Sequence, residues 1–257
     1  MRTALVRRSV LAASAVSLTL LATACGADKA DTKADAKPST GAPAASAAPA
    51  AKAKTDAELT GLLVVQADLP EHVVKPATPA EAAAAAGATS DKPECQPLVK
   101  AQSMAPVGSA AGTARTKAVA KGKEPAADAS PEDKLKAAMN ALGATATSVT
   151  LSSYEGKGAE EAFGIIKKAG TACTGGYTGS QAGDSLKITK LAPGAAVTAG
   201  DEALSYTVVG DADGEKLSME LVVVRKGNTL ATFSALSLTG TAEQPKAVVD
   251  AQVKKLG

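Results

Sequence analysis

The sequence predicts an α+β domain, in which a largely antiparallel twisted sheet is flanked by helices and follows a signal peptide and a disordered tether. Three observations predict it. Residues 1–24 have the composition of an export signal, and residues 25–54 contain no aliphatic side chain larger than Ala. From residue 55 onward, apolar residues at helical spacing give way to strands with period-two alternation and hairpin-like turns. Hairpin-linked strands favour antiparallel pairing, with the helices packed on the sheet.

The first segment is the signal. Arg7 and Arg8 precede an apolar run over residues 10–21, and small residues then lead to Cys25. About a dozen apolar residues are too few for a membrane span, which needs roughly 20. We therefore expect a lipoprotein signal over residues 1–24, with lipid on Cys25 as the new N-terminus. The paired arginines leave twin-arginine export open beside the general route.

The second segment, residues 25–54, is expected to be a disordered tether. A stretch of Ala, Lys, Asp, Pro, Ser and Thr cannot bury enough apolar surface to offset its ordering entropy. As a flexible coil it would hold the domain roughly 30 Å from the membrane. The lipid on Cys25 thus makes the membrane a partner and places the protein on the extracellular face of the cell membrane. Residues 55–257 are expected to form a single globular domain.

Composition excludes nucleic acid as a partner. The net charge is +2, and the chain has two Phe, three Tyr and no Trp. There is no basic field to attract phosphates and no aromatic platform on which bases could stack.

The cysteines predict one disulfide. After Cys25 is assigned to lipid, Cys95 and Cys173 remain as an even pair in an oxidising compartment. On the chain-entropy model a bond between them would be worth about 4–5 kcal/mol. The alternatives are a metal-binding or nucleophilic role, but His72 is the sole histidine and two cysteines without clustered His are a poor metal site.

The first half of the domain contains helices. Thr55 and Glu58 have the spacing of a capping box, and the helix that they start must end before Pro70. Further helices are predicted over 80–86 and over 96–104. The stretch 104–130 is poorly patterned, and we expect a mobile loop there with an edge strand over 114–120.

The middle of the domain reads as helix, strand, helix. Ser130 and Pro131 suit the N-cap and first position of a helix, with Gly143 as its C-cap. A strand is predicted over 146–154 and a helix over 157–171, which runs into Cys173. The apolar stripe of the first helix consists of Leu135, Met139 and Leu142, and that of the second of Ala159, Ala162, Phe163, Ile166 and Ala169.

The last third is predicted to be three strands, a hairpin partner and a helix. The strands cover 184–191, 203–209 and 217–225, with a loop over 210–214, and the final helix covers 241–256. Gly227 and Asn228 form a two-residue hairpin turn. The predicted pairs are Lys226 with Thr229, Val223 with Thr232, Leu221 with Ser234, Met219 with Leu236, Leu217 with Leu238 and, on the other face, Val222 with Phe233.

One acidic loop invites a metal-site interpretation. Asp211, Asp213 and Glu215 resemble the start of a calcium loop, but the twelfth position, which requires Glu, is Val222. An exposed connection between strands is the better interpretation. We expect no metal.

The remaining motifs do not assemble a catalytic set. His72 reads as a turn residue, no histidine lies near Ser152 or Ser153 in the sequence, and no Lys follows the Gly175–Gly176 pair as a phosphate loop would require. We therefore expect no catalytic residue, no enzyme activity and no cofactor.

Several short phrases carry a resemblance. They are Leu62–Leu63, the run from Ala67 to Pro70, Cys95, the run from Val149 to Tyr154, and a helix that leads to Cys173. Together they resemble actinobacterial, Streptomyces-like surface lipoproteins and are similar to the extracellular sensor domains of mycobacterial Ser/Thr kinases. The resemblance implies a twisted antiparallel sheet flanked by helices, with a groove for an unidentified ligand. Such domains usually carry two disulfides and this chain can form one, so no binding residue is transferred.

The sequence thus favours a membrane-anchored, non-catalytic domain that binds a small molecule or an envelope component. The alternative is a structural or protein-interaction module of the cell envelope, with a membrane protein as a possible partner. A cavity of several hundred Å³ would favour the first, and a flat apolar patch without a cavity would favour the second.

Overall fold

A computed structural model describes residues 52–122, 126, 128–135, 144–212, 214–237 and 241–257. In this part of the chain, nine antiparallel strands form one sheet with helices packed on both faces, which confirms the predicted α+β class. The strands are β1 (His72–Pro76), β2 (Thr89–Ser90), β3 (Gly112–Ala120), β4 (Ala146–Ser153), β5 (Tyr177–Gln181), β6 (Asp184–Pro193), β7 (Glu202–Ala212), β8 (Glu215–Lys226) and β9 (Thr229–Ser237). The helices are α1 (Asp56–Leu62), α2 (Pro79–Ala86), α3 (Gln96–Gln102), α4 (described over 131–135), α5 (Gly158–Ala172) and α6 (Lys246–Leu256).

The strand order is β1-β3-β4-β9-β8-β7-β6-β5-β2, so β8 and β9 lie at the centre. Successive residues of a strand point to opposite faces, and both faces are covered here. Leu221 and Val223 of β8 pack with α3 and α5, whereas Val222 and Val224 pack with α1 and α6. This two-sided burial explains why the central strands read as almost continuous apolar runs.

The predicted hairpin register is confirmed. Gly227 takes a positive φ of 57°, and the strands on either side pair Lys226 with Thr229, Val223 with Thr232, Leu221 with Ser234, Met219 with Leu236 and Val222 with Phe233. The sixth predicted pair includes Leu238, which lies outside the described residues.

Most predicted helices are present. Thr55 and Glu58 form both hydrogen bonds of the capping box, Ser130 Oγ accepts from the N–H of Asp133, and the predicted apolar stripe of α5 is buried. Leu135 in α4 is 64% exposed, contrary to its predicted place on a buried stripe. Met139, Leu142 and Gly143 lie outside the described residues.

Several boundaries differ from the prediction. The last helix begins at Lys246 rather than at residue 241, because Pro245 disfavours helical conformation at the preceding residue. The predicted loop over 210–214 is shorter, since β7 continues to Ala212. The predicted edge strand is β3, and it lies between β1 and β4, so its edge position was wrong.

The stretch 104–130 is also more ordered in its first part than we expected. Besides β3, it contains the buried side chains of Ala105 and Val107. The two edges of the sheet are instead formed by β1 and β2, which the sequence did not predict. These strands are only five and two residues long, too short for an alternating pattern to be recognised.

The predicted disulfide joins Cys95, just before α3, to Cys173 at the end of α5, with 5.8 Å between the Cα atoms. Both cysteines are buried. The bond therefore fixes the two helices on one face of the sheet to each other.

Cys25, the signal and the tether up to residue 51 lie outside the described residues. The predicted end of the tether at residue 54 was wrong, because residues 52–54 pack on the domain, with Ala53 buried and the N–H of Lys54 donating to Ser153 Oγ.

Candidate functional site

A groove of about 570 Å³ lies on the face of the sheet that carries α3 and α5. Six neighbouring strands, from β4 to β5 in the sheet order, contribute to its lining, and α2 and α3 contribute to its walls. We call it the sheet groove. The described residues that line it are Ala84, Val99, Gln102, Ser103, Ala146, Ser148, Gly179, Ser180, Gln181, Ala182, Asp184, Ser185, Leu186, Ile188, Ala212, Leu217, Met219, Ser234 and Leu236.

The floor of the sheet groove follows from strand register. Residues directly opposite each other on antiparallel strands lie on the same face. Ala146, Leu236 and Met219 are paired in this way and form an apolar row. In the next row Ser148 is paired with Ser234, whose hydroxyl donates to the sulfur of Met219 at 3.2 Å. The floor is thus apolar with a pair of serines beside it.

Helix α3 forms one wall by approaching the sheet closely. A Cβ on residue 179 would lie 3.3 Å from Cγ2 of Val99, so Gly179 in β5 permits this approach. One turn further on, Gln102 Nε2 donates to the hydroxyl of Tyr177 at 2.6 Å. Burial raises the pKa of Tyr177 to about 12, so the hydroxyl is neutral at physiological pH. This wall therefore offers uncharged hydrogen-bonding groups.

The two ends of the sheet groove differ in charge. At the β4 end, Lys117 of β3 lies opposite Ser148 and pairs with Glu81 of α2. The hydrogen bond from Lys117 is the main cause that lowers the pKa of Glu81 to about 2. At the β6 end, the lining includes the carboxylate of Asp184. A ligand with a charged end would meet different surroundings at the two ends.

His72, Ser153, Tyr154 and Gly176, which were singled out in the sequence, do not line the sheet groove. His72 begins β1, where burial lowers its pKa and Nδ1 has no hydrogen-bond partner. Its Nδ1 therefore forms no hydrogen bond with a serine hydroxyl or a carboxylate among the described residues. Ser153 Oγ accepts from the N–H of Lys54 and donates to the carbonyl of Asn228, which ties strand ends together.

The other singled-out residues also have structural roles. The hydroxyl of Tyr154 donates to the carbonyl of Val107 at 2.7 Å, and burial raises its pKa to about 12. Asp211 accepts from the N–H of Gly214 in the turn between β7 and β8. Gly176, with φ of 83°, ends the link from α5 to β5, and its carbonyl accepts a hydrogen bond from Lys92.

The described residues provide neither a metal-binding cluster nor a membrane-spanning helix. In the described part of the chain, no group of three or more His, Cys, Asp or Glu side chains is arranged to hold a metal ion. Among its helices, none has the length and apolar character required to cross a membrane. The sheet groove itself provides a concave, mostly apolar surface with neutral hydrogen-bonding groups.

Comparison with known proteins identifies no family. No family model matches the chain, and no curated protein matches it. Among solved structures, the extracellular domain of PknH from Mycobacterium tuberculosis is similar, with 11% identity and a TM-score of 0.45. The match covers 80% of this chain and 97% of that domain.

Sequence reasoning missed the residues of the sheet groove. Ser148 and Ser234 are ordinary strand residues in the sequence, and Gln102 is one polar residue at the end of a helix. They come together only because strands distant in sequence pair in one sheet. In the sequence, the one indication of a polar group on the groove floor was the presence of serines within the apolar alternation of β9.

Proposed function

We propose that this protein is a non-catalytic, lipid-anchored extracytoplasmic domain that binds an elongated, mostly apolar small molecule in the sheet groove. One observation carries the proposal: a groove of about 570 Å³ with an apolar floor and a few neutral polar groups. Small-molecule sites in proteins are typically clefts of roughly 300–1,000 Å³ with this character.

The anchoring part of the proposal rests on the signal and Cys25. A single acyl chain binds a membrane only weakly, whereas several chains on one residue hold a protein stably. Replacing Cys25 with Ser is expected to release the protein from membranes into the medium. Retention of the Cys25→Ser protein on membranes would contradict lipid attachment at this residue.

Native mass spectrometry of the protein purified from its own membranes tests the binding part. A co-purifying small molecule, lost on denaturation, is expected. Ser148→Phe places a ring on the half-buried floor of the groove and is expected to abolish that mass. Thr171→Phe adds the same ring on the exposed side of α5 and should retain it.

The outcomes are distinct. If Ser148→Phe retains the molecule, binding occurs elsewhere and the sheet groove is not the site. If the wild-type protein carries no molecule and binds none added, the binding function is wrong.

The second candidate is an interaction module. One observation favours it. Val73 of the edge strand β1 lies opposite Val119 of β3, and the two side chains are 40% and 38% exposed. Two valines make a small patch, and contiguous apolar patches of this size are ordinary on protein surfaces. Crosslinking on intact cells that captures one protein through this pair, with an empty sheet groove, would favour the module.

A further inference from the structure

The charges around the sheet groove indicate which class of ligand would fit it. We propose that the sheet groove binds a single-chain anionic lipid, whose head group lies over β1 and β3 and whose chain runs along the groove towards β6. This inference rests on the proposed binding function and adds the charge and orientation of the ligand.

The first step is the charge beside the β4 end. Lys75 of β1 is paired across the strands with Lys117 of β3, and Arg115 lies two residues before Lys117 on the same face. Lys117 is also directly opposite Ser148 on the groove floor. Three cations thus share one face of the sheet, within about 5–10 Å of the groove at a strand spacing of about 4.8 Å.

The second step is that these three cations outnumber the carboxylates that form ion pairs with them. Lys117 is paired with Glu81, whereas neither Lys75 nor Arg115 forms an ion pair within the described ranges. Arg115 is half-buried, and its Nε donates to the carbonyl of Met104, next to the lining residue Ser103. Burial lowers the pKa of Arg115 and the negative charge of Asp56 raises it, and the guanidinium remains charged. A partly desolvated guanidinium that has a carboxylate nearby but none within ion-pair distance among the described residues favours an anionic ligand.

The third step is the opposite end. Asp184 lines the groove on β6, and Glu215 lies at the start of β8 on the groove face, two residues before Leu217. An anionic group would be repelled there and attracted at β3. The charge distribution therefore assigns one orientation.

The fourth step is the apolar path. Within the groove, the apolar side chains are Ala146, Leu236, Met219, Leu217, Ala212, Leu186 and Ile188, which lead from β4 to β6. Beyond β4, the exposed side chains of Val119 and Val73 continue the row of Ala146 across β3 and β1. From β4 to β6 the groove is about 19 Å long at about 4.8 Å per strand. A narrow path of this length fits one extended chain.

Equilibrium binding of the full mature chain tests the inference. The chain carries Cys25→Ser, so that it is free of its own lipid, and the probes are oleate and oleyl alcohol, which share a chain but differ in head-group charge. Oleate is expected to bind at least about tenfold more tightly at low salt, where electrostatic interactions are strongest.

Charge variants locate the head group. Lys75→Glu, at an exposed position, is expected to remove the preference for oleate and to leave the affinity for oleyl alcohol unchanged. Lys187→Glu makes the same charge change at an exposed position on the opposite face of β6 and should retain the preference. Arg115→Gln provides a second variant and is expected to weaken oleate binding selectively.

Each result is decisive. Equal affinity of the wild type for the two probes overturns the anionic head group while leaving the groove as a binding site. A preference that survives both Lys75→Glu and Arg115→Gln overturns the orientation. Failure to bind either probe overturns this inference, and the native mass of the membrane-purified protein separately decides the proposed function.

Discussion

The side chain of Gln252, buried in α6, accepts a hydrogen bond from the N–H of Val64 at 3.0 Å. The same amide donates to the carbonyl of Leu62 at 2.8 Å. These two backbone groups stand at the end of α1, where a helix leaves its last carbonyls without partners. One side chain thus completes the end of α1 and joins the first and last helices of the domain.

Replacing Gln252 with Leu is expected to destabilise the protein. The substitution keeps the volume but leaves buried backbone groups without partners, at a cost of about 1–3 kcal/mol for each group. Urea denaturation followed by circular dichroism measures the change. Gln244→Leu is the matched control, since its bond to the carbonyl of Ala195 is exposed. A Gln252→Leu protein as stable as the control would mean that water satisfies the end of α1.

The Cys95–Cys173 bond is expected to contribute about 2–5 kcal/mol to the free energy of unfolding, as native disulfides typically do. It closes a loop with a sequence separation of 78 residues. The double variant Cys95→Ala/Cys173→Ala should therefore unfold at a markedly lower urea concentration. Cys25→Ser, which leaves the bond intact, is the control. A loss below about 1 kcal/mol would contradict a stabilising role for the bond.

Gly170 in α5 is expected to tolerate no side chain. It is buried against the ring of Tyr206, and an added Cβ would overlap the hydroxyl and Cζ of that ring. Gly170→Ala should destabilise the domain by about 1–3 kcal/mol, the usual range for overpacking. Gly164 lies in the same helix with open space around it, so Gly164→Ala should stabilise by about 0.5–1 kcal/mol. Equal effects of the two changes in thermal unfolding would show that α5 shifts to accommodate the methyl group.

Glu220 is expected to make stability depend on pH. The side chain is buried on the α6 face of β8, and its Oε1 accepts from the hydroxyl of Thr207 at 2.6 Å. Burial raises the pKa of Glu220 above its usual value of 4.5. Folding therefore favours the protonated acid. Its stability contribution is full below the unfolded pKa and is lost as the pH rises through the folded pKa.

Glu220→Gln should thus be more stable than the wild type at pH 7, with the difference disappearing as the pH falls below about 4.5. The amide oxygen can still accept from Thr207. Melting temperatures between pH 4 and 8 measure the effect, and Glu215→Gln, at the exposed start of the same strand, controls for net charge. A Glu220→Gln protein less stable than the wild type at neutral pH would contradict the argument.

The sequence predicted local features well and spatial relations less well. The capping box at Thr55, the apolar stripe of α5 and the register around Gly227 each depend on residues a few positions apart, so that local spacing suffices. The place of β3 inside the sheet depends instead on pairing with β1, a strand of five residues that carries no alternating signal. The last helix was predicted to start at residue 241, where the residues favour a helix start. Pro245 prevents this, because it disfavours helical conformation at the residue before it, and the helix starts at Lys246.

By itself, the sequence determined the helices and the longer strands, that the cysteines at 95 and 173 pair, and that the strands would join in an antiparallel sheet, whereas the short strands β1, β2 and β5 were not predicted. Apolar periodicity, turn residues and composition are properties of short segments, so a single sequence is enough to recognise them. Only the tertiary structure decided that both faces of the sheet are covered and that Ser148, Ser234 and Gln102 meet around one groove. It also decided that Lys75 and Arg115 share one face beside that groove. These relations arise from strand order, which long-range pairing sets and local spacing does not encode.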